Sequence, residues 1–213
     1  MTADDRLFPE TMARAQRIVD AEWRQFQRVQ GDDGRAACQD DWKTFRQMRL
    51  AQFLAWSIPL LDSYEHDLSA AESAGRNLLT EKYGRMMSST EPARYTAEIA
   101  PRLPVLPAER IERHERVIAR QVGWAAQFHG EYPCLGASMR VLRTADDTLA
   151  ETSFETYLRG ELGTYSDATF DLYEALVRDF EDQGRNLTER ILSLTVAMSG
   201  YPDLESAEAA QRA

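Results

Sequence analysis

The sequence predicts an all-α fold, a single helical domain of about seven to eight helices. Three observations carry that expectation. Apolar residues recur at steps of three and four along each long segment, caps and glycine stops punctuate those stripes, and no segment sustains the apolar/polar alternation of a strand. With 213 residues, 43% of them hydrophobic and 28% charged, the chain can close one sizeable core, so residues 1–213 are read as one domain.

In chain order, Met12, Ala15, Val19, Trp23 and Phe26 share one helical face. They define an N-terminal helix over 9–30, stopped by Gly31-Asp-Asp-Gly34. Asp41 suits the cap of a second helix with the stripe Trp42, Phe45, Arg49, Phe53 and Trp56. Ser57 suits the cap of a third, carrying Leu61, Tyr64, Leu68 and Ala71. Gly75 ends that stripe, and Asn77 can cap the next helix through Tyr83 to about Met87, so 41–88 form one unit. Pro92, Pro101, Pro104 and Pro107 make 90–106 a connector with at most one short helix. A linking helix over 107–129 starts with Pro107 in its first turn and carries Ile111, Ile118, Val122, Trp124 and Phe128, and Gly130 to Gly136 break the pattern.

The remaining segment, 152–199, repeats the first unit. Laid 109 positions apart, residues 45–78 and 154–187 match without a gap at ten of 34 positions, where composition alone gives roughly two. Phe45, Ser57, Asp62, Tyr64, Glu65, Glu72 and Gly75-Arg-Asn-Leu78 reappear as Phe154, Ser166, Asp171, Tyr173, Glu174, Glu181 and Gly184-Arg-Asn-Leu187. Caps, stripe and turn agreeing in one register predict an internal duplication of a three-helix unit about a pseudo-twofold axis, with any site lying between the copies.

Thirty-five acidic against 25 basic residues leave a formal charge of −10, which disfavours a nucleic-acid or anionic-membrane partner. No apolar run approaches the roughly 18 residues of a membrane span, and the N-terminus has no secretory pattern. Cys38 and Cys134, both expected in loops, form no disulfide framework or metal spacing. Together these features predict a cytoplasmic protein, with homo-oligomers left open.

No phosphate-binding glycine loop, Glu-x-x-His pair, metalloprotease motif or nucleophile elbow is present. His66, His114 and His129 are expected at the surface. Asp62 with Glu65, and Asp171 with Glu174, stand three apart on helices and could share magnesium, but they should lie on a solvated face away from Tyr64 and Tyr173. Arg76 and Arg185 follow helix stops, and they are candidate anion-binding residues at the next helix N-termini. The strongest polar signal is a charge on an apolar stripe. Arg49 and Gln52 occupy one such stripe, and Glu161, which follows Phe154 and Tyr157 and precedes Tyr165, stands where the shift of 109 puts Gln52. Burying a charge is costly unless it is paired, so Arg49 and Glu161 should meet each other or one shared ligand.

Three strings, Met48-Arg-Leu-Ala-Gln-Phe53, Gly75-Arg-Asn-Leu-Leu-Thr-Glu-Lys-Tyr83 and Thr152 through Ser166, make residues from about Asp40 to Tyr201 resemble a bacterial domain-of-unknown-function family. Some of its members are fused to a nucleotidyltransferase-like domain. The resemblance brings no established activity with it.

Two functions therefore compete. The first is an enzyme or binder for a small polar metabolite, needing no cofactor and doing proton-transfer chemistry between the repeats. Glu161, Tyr157, Tyr64 and Tyr173 would be its catalytic groups, and Arg49, Gln52, Arg76, Arg159 and Arg185 its ligand-binding groups. The second is a protein-interaction or regulatory module for a nucleotidyltransferase-like partner.

Overall fold

The computed structural model describes residues 3–31, 34–149 and 151–212, and side chains from residue 9 onward. Eleven α-helices account for most of the described residues: α1 (Ala3–Phe26), α2 (Trp42–Leu54), α3 (Ile58–Ser73), α4 (Leu78–Thr90), α5 (Pro92–Arg94), α6 (Ala108–Glu131), α7 (Pro133–Ala137), α8 (Phe154–Leu162), α9 (Asp167–Asp182), α10 (Leu187–Met198) and α11 (Leu204–Gln211). Among these residues the only β feature is an isolated bridge between Gly31 and Gly34.

Eleven helices replace the expected seven to eight because α5, α7 and α11 are too short to display a periodic stripe. The proline-rich connector is itself wound, as α5, a π turn over Tyr95–Ile99 and a 3-10 turn over Ala100–Arg102. The first helix starts at Ala3, keeps Pro9 inside it and ends at Phe26, short of Gln30. Asp32 and Asp33 of its expected stop lie outside the described residues. Pro107 is the cap of α6 rather than part of its first turn. Gly130 lies within α6 and Gly136 within α7, so the two glycines do not clear the chain of helix. Cys38 and Cys134 also sit in short helical turns, both as free thiols.

Side-chain caps fix most of the long elements. Asp41, Asn77, Ser153, Ser166, Asn186 and Asp203 each accept a backbone N–H from the first turn of the helix they precede, satisfying donors the helix itself cannot use. Ser57 holds the corresponding place before α3 without making that bond. α3 and α9 end alike. Gly75 and Gly184 take positive φ (71° and 64°), and the next N–H reaches back to the carbonyl of Ala71 or Phe180 at 2.8 Å. This closure favours glycine because a Cβ is strained in the left-handed region.

The helices then pack crosswise. α1 covers α2, α3 and α4, and α6 covers α8, α9 and α10, while α4 lies on α8, α10 on α2 and α3 on α9. The main core joins Ile18, Phe53, Leu61, Tyr64, Ile118, Leu162, Phe170 and Tyr173 from both groups. A smaller core of Phe128, Leu135, Val196, Leu204 and Ala207 seats α7 and α11. α4 and α8 meet where Gly160 has no side chain, since a Cβ there would lie 2.8 Å from both the Lys82 carbonyl oxygen and Met86 Cγ.

Candidate functional site

The buried faces of α1, α2, α4 and α8 each bring one charged residue to the centre. Glu22, Arg49, Lys82 and Glu161 are 0, 5, 3 and 2% exposed. Arg49 follows from the α2 stripe, which turns Leu50 and Phe53 inward with it. Glu161 lies in the last turn of α8 between the buried Gly160 and Leu162.

Arg49 uses its whole guanidinium. Nε and Nη2 donate to the two carboxylate oxygens of Glu22 at 2.6 and 2.5 Å. Nη1 donates to Gln52 Oε1 at 2.7 Å and to Glu161 Oε2 at 3.1 Å, and Nη2 also reaches Glu161 Oε1 at 3.2 Å. Glu161 further accepts from Gln52 Nε2 (2.8 Å), Tyr165 OH (2.9 Å) and Lys82 Nζ (2.6 Å). Tyr64 OH donates to Glu22 Oε1 at 2.8 Å. Two acids thus meet two bases, and the four carboxylate oxygens all accept. Such completeness is what burial of charge demands.

The same contacts fix the protonation states. Burial alone would raise the Glu161 carboxyl, but Arg49 and Lys82 outweigh it and hold it well below the usual carboxylate range. Burial would lower the Arg49 guanidinium, and the charges of Glu161 and Glu22 instead hold it well above its ordinary value. Tyr64 and Tyr165 are pushed well above the phenol range, first by burial and then by the neighbouring carboxylates. Tyr173 rises too, chiefly by burial. A group that exchanges protons in catalysis works best with its pKa near the working pH, and none of these is held there.

The other expected residues fall in different places. Tyr157 is half-buried at the rim, with Lys82 Nζ 3.5 Å above its ring centroid. Tyr173 OH donates to Gln121 Oε1 at 3.0 Å, away from the charges. Arg159 is held by Glu115 and Glu155, and Arg76 by both oxygens of Glu81 at 2.7 Å. Arg185 is exposed, lies over the Phe180 ring and donates to Gln183. The carboxylates considered for magnesium take arginines instead. Asp62 and Glu65 bind Arg14 and Arg17, and Asp171 and Glu174 bind Arg113. No group of three or more potential metal ligands occurs among the described residues.

His114 corrects the expectation of surface histidines. It is 3% exposed and accepts from Arg110 Nε at 2.6 Å. Burial, reinforced by Arg110, pushes it down to about 3, so it is neutral. His129 is half-buried, and only His66 is exposed.

Sequence reasoning missed Glu22 and Lys82. Both carry the signal that marked Arg49, a charge on the buried face of a helix. Glu22 aligns with Ala15, Ile18, Val19 and Phe26, and Lys82 with Leu78, Leu79 and Met86.

Outside the centre, two open depressions of about 550 and 530 Å³ adjoin on the outer side of α6 and share Arg120, Trp124 and Gln127. Arg116 lines one of them, and Arg185 and Arg190 line the other. Neither reaches the buried charges.

Fold and centre together define an all-helical domain with a buried, charge-balanced cluster at its centre. Residues 12–209 match the family described as "Protein of unknown function (DUF4125)", and the chain belongs to that family. The match extends past both ends of the region on which the sequence resemblance rested. No curated protein and no solved structure matches the chain. No helix among the described residues is long and apolar enough to cross a membrane.

Proposed function

We propose that this chain is a non-catalytic interaction or regulatory module, in which the Arg49–Glu161 cluster locks two halves together and recognition falls to the outer surface. The saturation of the buried cluster carries this reading. Every carboxylate oxygen there already accepts, the charges cancel, and Glu161 is held well below, Arg49 and Tyr64 well above, their ordinary pKa values. A nucleotidyltransferase-like protein is the partner class that the sequence resemblance suggests.

The halves are further inferred to be copies of a four-helix unit, α1–α4 and α6 with α8–α10, so that α6 is the counterpart of α1 rather than a link. Three corresponding pairs of hydrogen bonds support this. Arg14 with Asp62, Glu22 with Tyr64, and Gln25 O with Asn77 correspond to Arg113 with Asp171, Gln121 with Tyr173, and Trp124 O with Asn186. The first-helix partners all stand 99 positions apart, and the others 109.

A second reading keeps a small polar metabolite at the centre, with acid–base chemistry by Glu161 and the tyrosines. Its support is the half-buried rim of Gln52 and Tyr157, beside Lys82 and Glu161. Thermal melts of wild type and Glu161→Gln with amino acids, nucleotides and divalent metals separate the two. On the first reading the substitution costs about 3–5 kcal/mol, as loss of one partner of a buried pair does, and no compound stabilises the wild type. A compound that raises the wild-type melting temperature, with the response lost in a normally folded Glu161→Gln, overturns the first reading in favour of the second.

A further inference from the structure

Two arginine positions show how the outer surfaces of the halves have diverged. In the first half Arg17 binds both oxygens of Glu65 at 2.7 and 2.9 Å, and Arg76 binds both oxygens of Glu81. By the correspondence inferred above, their counterparts are Arg116 and Arg185. Glu174, the counterpart of Glu65, is taken by Arg113, and Glu81 is replaced by Arg190. One charge reversal and one exchange of partner leave the second half's arginines without their acids. Arg116 and Arg190 make no side-chain hydrogen bond or ion pair among the described residues, and Arg185 has only the neutral Gln183 and the Phe180 ring.

These arginines border one continuous concavity. Arg116, Arg120, Arg185 and Arg190 line it against only two acids, Glu181 and Glu189, and Arg120 already binds Glu181. Trp124 forms its floor, 8% exposed and with its indole N–H making no hydrogen bond among the described residues. A basic groove on a chain of net charge −10 is a local reversal of the protein's field, and it favours partners of opposite sign. Its open form leaves a small molecule largely in water, whereas small-ligand sites bury most of their occupant. An extended segment can span both depressions.

We propose that the groove between α6, the end of α9 and the start of α10 is the docking surface for an acidic segment of a partner protein, its carboxylates held by Arg116, Arg185 and Arg190. This rests on the interaction-module reading and names the partner's chemistry. The test uses the full chain and a fluorescein-labelled oligoglutamate peptide, followed by anisotropy at low salt. The wild type should bind, with affinity falling as salt is added. Arg185→Glu and Arg190→Glu should each weaken binding by about tenfold or more, equivalent to about 1.4 kcal/mol. Arg17→Glu, at the corresponding place in the first half, should bind as the wild type does.

Arg190 has no internal partner among the described residues to lose, so Arg190→Glu keeps the test decisive should Arg185→Glu unfold. Absence of peptide binding, or equal loss in Arg17→Glu, overturns the proposal. So does saturation by inorganic tripolyphosphate without peptide binding, which would make the groove a small-anion site, or self-association abolished by Arg190→Glu, which would make the occupant a second copy. The buried lock is read separately, by melts of Glu161→Gln without peptide, so failure of the groove leaves that result standing.

Discussion

Gln52 and Glu161 stand 109 positions apart, the spacing at which the sequence matches itself, and they are hydrogen-bonded to each other at 2.8 Å. Trp56 and Tyr165 have the same separation, and their rings meet edge to face with centroids 6.1 Å apart. Two pairs of positions related by that spacing therefore touch at the centre of the molecule. That placement puts Glu161 of α8 within reach of Arg49 on α2 and Lys82 on α4.

Arg49 is the group that joins the two carboxylates. Arg49→Met leaves Glu22 with only Tyr64 and Glu161 without its guanidinium, and should cost about 3–5 kcal/mol in urea denaturation. The double variant Arg49→Met/Glu161→Leu should lose less than the two singles added together, because the second change removes a stranded charge. Additive losses would mean that the pair is not coupled.

His114 sets a pH dependence. Its folded-state pKa is pushed down to about 3, while an unfolded histidine titrates near 6.5. Between those values the unfolded chain binds the additional proton, so stability must fall as the pH falls. From about pH 6.5 to 5 this amounts to roughly 1.6 kcal/mol. Glu161, with its lowered pKa, adds stability that is complete above the unfolded carboxyl value of about 4.3 and is lost only as the pH falls further. His114→Gln keeps an acceptor for Arg110 but cannot be protonated, so its stability should be flatter over that upper window. An unchanged slope would show that His114 is protonated without penalty.

Two glycines should respond in opposite directions to alanine. Gly160→Ala places a methyl group 2.8 Å from a backbone oxygen of α4, and overpacking of this kind costs about 1–3 kcal/mol. Gly123 lies inside α6 with nothing within 4 Å of a Cβ, so Gly123→Ala should stabilise by up to about 1 kcal/mol through helix propensity. Thermal melts of the two variants check both signs.

How much of this was legible depended on helix length and on which residue filled each stripe. α3 and α9 could be read to within a residue because cap, stripe and glycine stop all agree. α5, α7 and α11, with three, five and eight residues, complete too few turns to establish a period. Arg49 and Glu161 stood out as charges among aromatic residues. Glu22 did not, because Trp23 beside it satisfied the apolar pattern, yet the structure buries Glu22 completely and leaves Trp23 partly exposed. Ala15, Val19 and Phe26 of the α1 stripe are buried as expected, so the reading departs only at Trp23, and the second carboxylate of the centre was lost there. Of the outer groove only Arg185, in its Gly-Arg-Asn turn, was legible, since Arg116 and Arg190 stand on exposed helix faces where an arginine is ordinary.

Tyr64 and Tyr173 give the sharpest test of how the two sides differ. Both are buried and each donates one hydrogen bond to a facing helix, Tyr64 to α1 at 2.8 Å and Tyr173 to α6 at 3.0 Å. The acceptors are unlike: Tyr64 serves the carboxylate of Glu22, and Tyr173 the neutral amide of Gln121. A hydrogen bond to a charged group is worth about 1.5–3 kcal/mol, against about 0.5–1.5 kcal/mol between neutral groups. Tyr64→Phe also leaves Glu22 Oε1 supported by Arg49 alone, inside a cluster where each missing donor leaves charge poorly solvated. Tyr173→Phe removes a partner from an amide whose Nε2 already has none, so it disturbs no charge. Urea denaturation should therefore show Tyr64→Phe to be the more destabilising by about 1 kcal/mol or more. Equal losses, or the reverse order, would show that the charged centre contributes no more than a neutral contact, and would remove the physical basis for treating it as a lock.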